Sequence, residues 1–130
     1  MKFFNILKGQ GKSLCLGLSQ DEFDCKCKNP SCKVTPIHQE FLDAYEALRK
    51  KLNVPLRITS GYRCPLHNYN VGGTARSYHQ HGMAVDFAYE NAVTNYPVDI
   101  ILKHAHEAGF QFCYYHKDKN FIHCQIGRFS

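Results

Sequence analysis

Residues 58–87 read ITSGYRCPLHNYNVGGTARSYHQHGMAVDF. They begin inside an alternating segment, Val54 to Tyr62 (VPLRITSGY), in which apolar and polar residues change places until Ser60-Gly61. That is the pattern of a half-buried strand followed by a turn. A loop is expected next, through NVGGTARS at 70–77, and Gly82 marks where the chain turns into a second strand, Met83 to Tyr89. In such a strand Asp86 projects from the same face as Ala84 and Ala88, small neighbours that leave room around its carboxylate.

Working outward, TPIHQEFLDAYEALRKKLN (35–53) places Ile37, Phe41, Tyr45, Leu48 and Leu52 at helical spacing. Thr35 is read as its N-cap and Pro36 as its first residue, with Arg49, Lys50 and Lys51 at the C-terminal end of the dipole. Val98 to Ala108 is expected to form a second helix closed by Gly109. Gln111 to His116 and Phe121 to Ile126 are expected as strands of a hairpin turned by KDKN. Helices and strands in mixed order with an antiparallel pair give an α+β class: a small antiparallel sheet packed by helices.

The 130 residues are 44% hydrophobic and 21% charged, the balance of one domain with its own core, which excludes a disordered chain. A formal charge of +5 favours an anionic partner without identifying it. The N-terminal residues carry Lys8, Gln10, Lys12 and Ser13 between apolar pieces, so neither a secretory signal nor a transmembrane segment is expected. Seven cysteines, an odd number, then imply thiols that are free or metal-bound after synthesis in a reducing cytoplasm. A monomer is expected.

His79 and Asp86 stand seven positions apart, and His123 lies between Ile122 and Cys124, where an imidazole is poorly hydrated without a partner. Two histidines and one carboxylate make a catalytic type of zinc site, with a fourth position open for water. Neither HExxH nor a paired CxxC ribbon is present.

The same stretch, 58–87, closely resembles the zinc D-alanyl-D-alanine carboxypeptidase and L-alanyl-D-glutamate endopeptidase family, whose signature is Ser-x-His-x-x-Gly-x-Ala-x-Asp. Ser77, His79, Gly82, Ala84 and Asp86 match every fixed position, and SGYR (60–63) and FIH (121–123) add to the match. The resemblance covers about residues 23–127, leaving 1–22 as an N-terminal extension of a single peptidase domain over 1–130. It implies the hedgehog and D-alanyl-D-alanine peptidase fold, a zinc ion on His79, Asp86 and His123, and Arg63 holding a carboxylate or carbonyl oxygen of the substrate. Ser77 is expected to support the loop or touch the substrate backbone. The implied substrate is the stem peptide of bacterial peptidoglycan, cut as a carboxypeptidase or an endopeptidase, as in a phage-type endolysin acting on the wall after release.

Members of that family place a general base a few positions before the last zinc histidine, where this chain has Asn120. Asp118 and His116 are the alternatives, both in the expected hairpin; a carboxylate in a turn can fold back toward the metal, which favours Asp118. CYYHKDKNFIHCQI (113–126) also resembles the hedgehog signalling domain, with His116 near that domain's acidic residue. This second resemblance implies an alternative: a zinc-bound binding module with little or no catalytic activity. Separately, Cys25, Cys27 and Cys32, joined by Cys64 or Cys15, are candidates for a structural zinc site, with free thiols or a disulfide as alternatives. A nucleic-acid-binding zinc module is not expected, because it would leave SYHQHGMAVD unexplained.

Overall fold

Four strands in the order β5-β6-β8-β7, each antiparallel to its neighbour, form the sheet on which the site is built. They are Ile58–Ser60 (β5), Ala84–Ala88 (β6), Phe112–His116 (β7) and Phe121–Gln125 (β8). A computed structural model of the chain describes residues 2–90 and 95–127. Among these, two further small sheets pair Phe3–Leu7 (β1) with Val34–His38 (β4), and Ser13–Cys15 (β2) with Leu18–Ser19 (β3). The helices are Gln20–Phe23 (α1), Gln39–Leu52 (α2), Pro65–Asn70 (α3) and Val98–Ala108 (α4), with a 3₁₀ helix at Tyr78–His81. The fold is α+β with antiparallel sheets packed by helices, the class that the order of elements predicts.

Register gives the main sheet two different faces. Val85 and Phe87 on β6, with Ile122 and Cys124 on β8, point one way and are fully buried. They join Leu48 of α2, Ile101 of α4 and Phe110 in one hydrophobic core. Each such apolar side chain contributes about 1.5–3 kcal/mol by leaving water. The alternate residues, among them Asp86, His123 and Tyr114, point the other way, toward the site.

The helix expected from Thr35 starts later, at Gln39, because Thr35 and Pro36 are claimed by β4. The N-terminal strand supplies the competing partner: Ile6 lies opposite Thr35 and Asn5 opposite Pro36. A proline is tolerated there because a two-stranded sheet has only edges. The buried Thr35 hydroxyl donates to Asp24 Oδ1 at 2.5 Å, which anchors the strand further. From Gln39 the helix follows its apolar spacing, burying Phe41, Tyr45, Leu48 and Leu52, and it ends on Asn53 in the left-handed region.

The strand expected over Val54 to Tyr62 shrinks to Ile58–Ser60; Pro55 cannot donate to a ladder, and the pairing with β6 is irregular between Ile58 and Ser60. The loop expected after it contains α3, six residues with Pro65 at the first turn, too short to show a period. The second helix and the hairpin strands lie within one residue of their expected bounds. Within the N-terminal extension of 1–22 lie β1, β2, β3 and the start of α1, and β1 pairs with β4.

Candidate metal centre

Cross-strand pairing assembles the centre. Ser60 lies opposite Asp86, Asp86 opposite His123, and His123 opposite Tyr114, one row across all four strands. Side chains at directly opposed positions share a face and come within a few ångströms of each other. His79 reaches the row from above, on the 3₁₀ helix. Its turn is started by Ser77, whose hydroxyl accepts from the His79 amide at 3.2 Å.

That turn ends at Gly82, with φ of +68°. A Cβ added there would sit 1.9 Å from the Pro36 carbonyl oxygen, so only glycine lets the motif pass β4. Gly61 has a similar constraint: an added Cβ would meet the Phe23 carbonyl oxygen at 2.5 Å. The SGYR backbone then brackets His79 from both ends. Gly61 O lies 2.7 Å from His79 Nδ1, and the Arg63 amide donates to His79 O at 3.0 Å.

One atom each from His79, Asp86 and His123 lies within 4.8 Å of the others, and all three residues are buried. Asp86 Oδ1 is 3.1 Å from His79 Nε2 and 2.8 Å from His123 Nδ1. The outer nitrogens are already committed. A carbonyl only accepts, so His79 Nδ1 donates to Gly61 O. His123 Nε2 donates to Gln125 Oε1 at 2.8 Å, and the Gln125 amide nitrogen in turn donates to Gly127 O. With neutral rings, both inner nitrogens then turn lone pairs toward one carboxylate oxygen. Three acceptors in a buried space are mutually repulsive unless a cation sits among them, so the donor set fits a divalent metal.

Burial by itself would raise the Asp86 carboxyl, but when the inner ring nitrogens carry protons instead of facing a cation, the hydrogen bonds from His123 and His79 outweigh it and hold the group well below the usual carboxylate range. Asp86 therefore faces the centre as an anion.

The centre opens into a cavity of about 300 Å³ lined also by Arg63, Ser77, Phe112, Tyr114 and His116. Burial lowers the Arg63 pKa and the Asp86 carboxylate counters it; a guanidinium stays cationic through such a shift. One of its terminal nitrogens donates to Ser77 Oγ at 3.4 Å, while its Nε is buried with no hydrogen-bond partner among the described residues.

His116 and Asp118 separate. His116 is on the site face, stacked on Phe121 with ring centroids 4.8 Å apart, and lines the cavity. Asp118 is exposed in the hairpin turn and is not among the lining residues. Sequence reasoning missed Gly61, Gln125 and Tyr114, whose ring stacks on His123 at 5.0 Å. Counting by twos from His123 would have reached Gln125, and the hairpin register would have reached Tyr114. Cys25, Cys27, Cys32 and Cys64 form a second cluster, and Cys15 is not part of it.

The sequence profile of the Peptidase M15 family matches residues 17–125. The chain belongs to the Peptidase M15 family. This is the carboxypeptidase and endopeptidase family that the Ser-x-His-x-x-Gly-x-Ala-x-Asp motif points to, and membership places the chain among peptidases. A crystal structure of the Serratia marcescens L-Ala D-Glu endopeptidase ChiX is similar to this chain at 18% identity. The likeness covers 70% of this chain and 80% of that one, with a TM-score of 0.49. The curated proteins yield no match.

Proposed function

We propose that this M15 chain is a zinc-dependent hydrolase of a peptide bond in the stem peptide of bacterial peptidoglycan, acting at the cell wall in the manner of an endolysin. The observation that carries the zinc reading is the convergence of His79 Nε2, Asp86 Oδ1 and His123 Nδ1, with both outer imidazole nitrogens already donating elsewhere. The wall substrate rests on the family and on the anion-binding character of the cavity. When bound, zinc supplies Lewis acidity, which makes water nucleophilic near neutral pH and polarises a carbonyl.

The protein's own groups do the rest. Arg63 offers a half-buried cation with a free Nε donor to a substrate carboxylate or carbonyl oxygen. His116 moves the proton. Its Nδ1 accepts from the Lys119 amide at 3.2 Å, so a neutral ring carries its proton on Nε2; once the ring has taken the attacking water's proton it is an imidazolium, which passes one proton to the leaving amine and ends neutral. Taking a proton from water first requires that exposed hydrogen bond to open and the tautomer to change. Asp118 stands further out, in solvent, and is assigned no proton transfer.

Digestion of purified muropeptides, with fragments weighed and zinc counted, tests the reading. Asp86→Ala is expected to lose one zinc and all hydrolysis while keeping the wild-type circular dichroism. Unchanged hydrolysis in that variant refutes the site, and a zinc-bound wild type that cuts no wall fragment replaces the peptidase with a hedgehog-like binding module. Loss of a terminal D-Ala would mark a carboxypeptidase, and cleavage after L-Ala an endopeptidase. For the proton, His116→Gln should lower kcat at least tenfold with zinc content unchanged, whereas Asp118→Asn should stay within about twofold, as removal of a general acid or of a solvated charge predicts.

A further inference from the structure

The second cluster lies outside the cavity. Cys25, Cys27 and Cys32 come from the loop after α1, and Cys64 is the N-cap of α3, yet their four sulfurs all lie within 4.8 Å of one another. No disulfide joins any of them. A tetrahedral ion with metal–sulfur bonds of about 2.3 Å holds its thiolates roughly 3.8 Å apart. Cys64 Sγ and Cys27 Sγ are separated by 3.8 Å. That is far beyond a sulfur–sulfur bond of about 2.05 Å.

Backbone donors and one ammonium face the sulfurs. The Cys64 amide donates to Cys25 Sγ at 3.3 Å and the His67 amide to Cys64 Sγ at 3.4 Å. Backbone donors of this kind orient metal-bound sulfur and offset its charge. Lys8 places its ammonium 3.6 Å from Cys27 Sγ and 3.3 Å from the Cys27 carbonyl oxygen, a positive charge beside a group that would carry a net charge of about −2 with a divalent ion.

We propose that Cys25, Cys27, Cys32 and Cys64 bind a structural zinc ion that ties the segment after α1 to the turn carrying Arg63. Four protein ligands close the coordination sphere, so this ion has no open position for substrate, unlike the centre on His79. Zinc is chosen because four single thiolates at this spacing enclose one ion; a cluster with its own sulfides would hold them further apart. The clip lies where it affects the cavity. Cys64 follows Arg63 directly, and the neighbouring Tyr62 amide donates to Phe23 O, two residues before Cys25. Arg63 is thereby flanked by two residues, Tyr62 and Cys64, whose amides both bond to residues 23–25.

The test counts metal per chain in the full-length protein, purified under reducing conditions with zinc supplied, by inductively coupled plasma mass spectrometry. Wild type is expected to carry two zinc ions, His123→Ala one, and the double variant Cys27→Ser, Cys32→Ser one. Because the double variant can fail to fold, cobalt-loaded wild type and His123→Ala provide a second readout. Both should show the sulfur-to-cobalt charge-transfer band of a thiolate site. Absence of that band, iron in place of zinc, or a disulfide linking any two of the four cysteines in non-reducing peptide mapping overturns the proposal. Failure of the peptidase reading looks different: His123→Ala would keep the wild-type zinc count while the cobalt–thiolate band persisted.

Discussion

Gln125 stands outside the zinc motif, yet its side-chain oxygen decides which nitrogen of His123 is free to face the centre. Gln125→Leu removes that acceptor and leaves a buried N–H unpaired. Zinc affinity at the histidine site should fall about 10–100-fold, the usual loss when the outer partner of a ligating imidazole is removed, read by competition with a chelator of known affinity. Gln125→Glu keeps the acceptor and should keep the affinity; equal weakening by both changes would show that packing rather than the hydrogen bond matters. The three converging side chains, His79, Asp86 and His123, were legible because they match the motif around Gly82 and the later FIH. Tyr114 and Gly61 were not, since they act through strand register and a backbone carbonyl, which local spacing does not write; Gln125, two residues after His123 on one strand, was within reach of its period but carries no motif of its own.

Among the elements, the 3₁₀ helix shows how little freedom the motif has. The residue that caps it, Gly82, combines a left-handed backbone with a carbonyl from β4 in the place a side chain would need. Gly82→Ala should therefore cost at least about 2 kcal/mol, from the unfavourable φ and from displacement of the neighbouring strand, measured by chemical denaturation. A cost under about 0.5 kcal/mol would mean that β4 shifts freely. The same strand explains the largest departure from the sequence reading. Thr35 and Pro36 are good helix-start residues judged locally, and a long-range partner, β1, overrode them. Helix α4, whose signals are all local, and the β7–β8 hairpin, whose turn is local, followed their sequences closely.

Over the whole molecule, the class of fold could be read from the order of elements, but the arrangement of strands could not. Neighbours in sequence are not always neighbours in the sheet: β6 sits between β5 and β8, and β8 between β6 and β7. Asp86 and His123 are thus carried on the two inner strands, where backbone groups find partners on both sides, while the outer strands pair with a strand on one side only among the described residues. Protection against solvent deuterium should follow that order. Amides of Val85–Phe87 and Ile122–Cys124 are expected to exchange more slowly than those of Phe112–His116, as followed residue by residue by nuclear magnetic resonance, and comparable rates would contradict the expectation. Asp86 and His123 are then among the last groups to part company as the molecule loosens, so fraying at the sheet's margins can come and go while their mutual geometry persists.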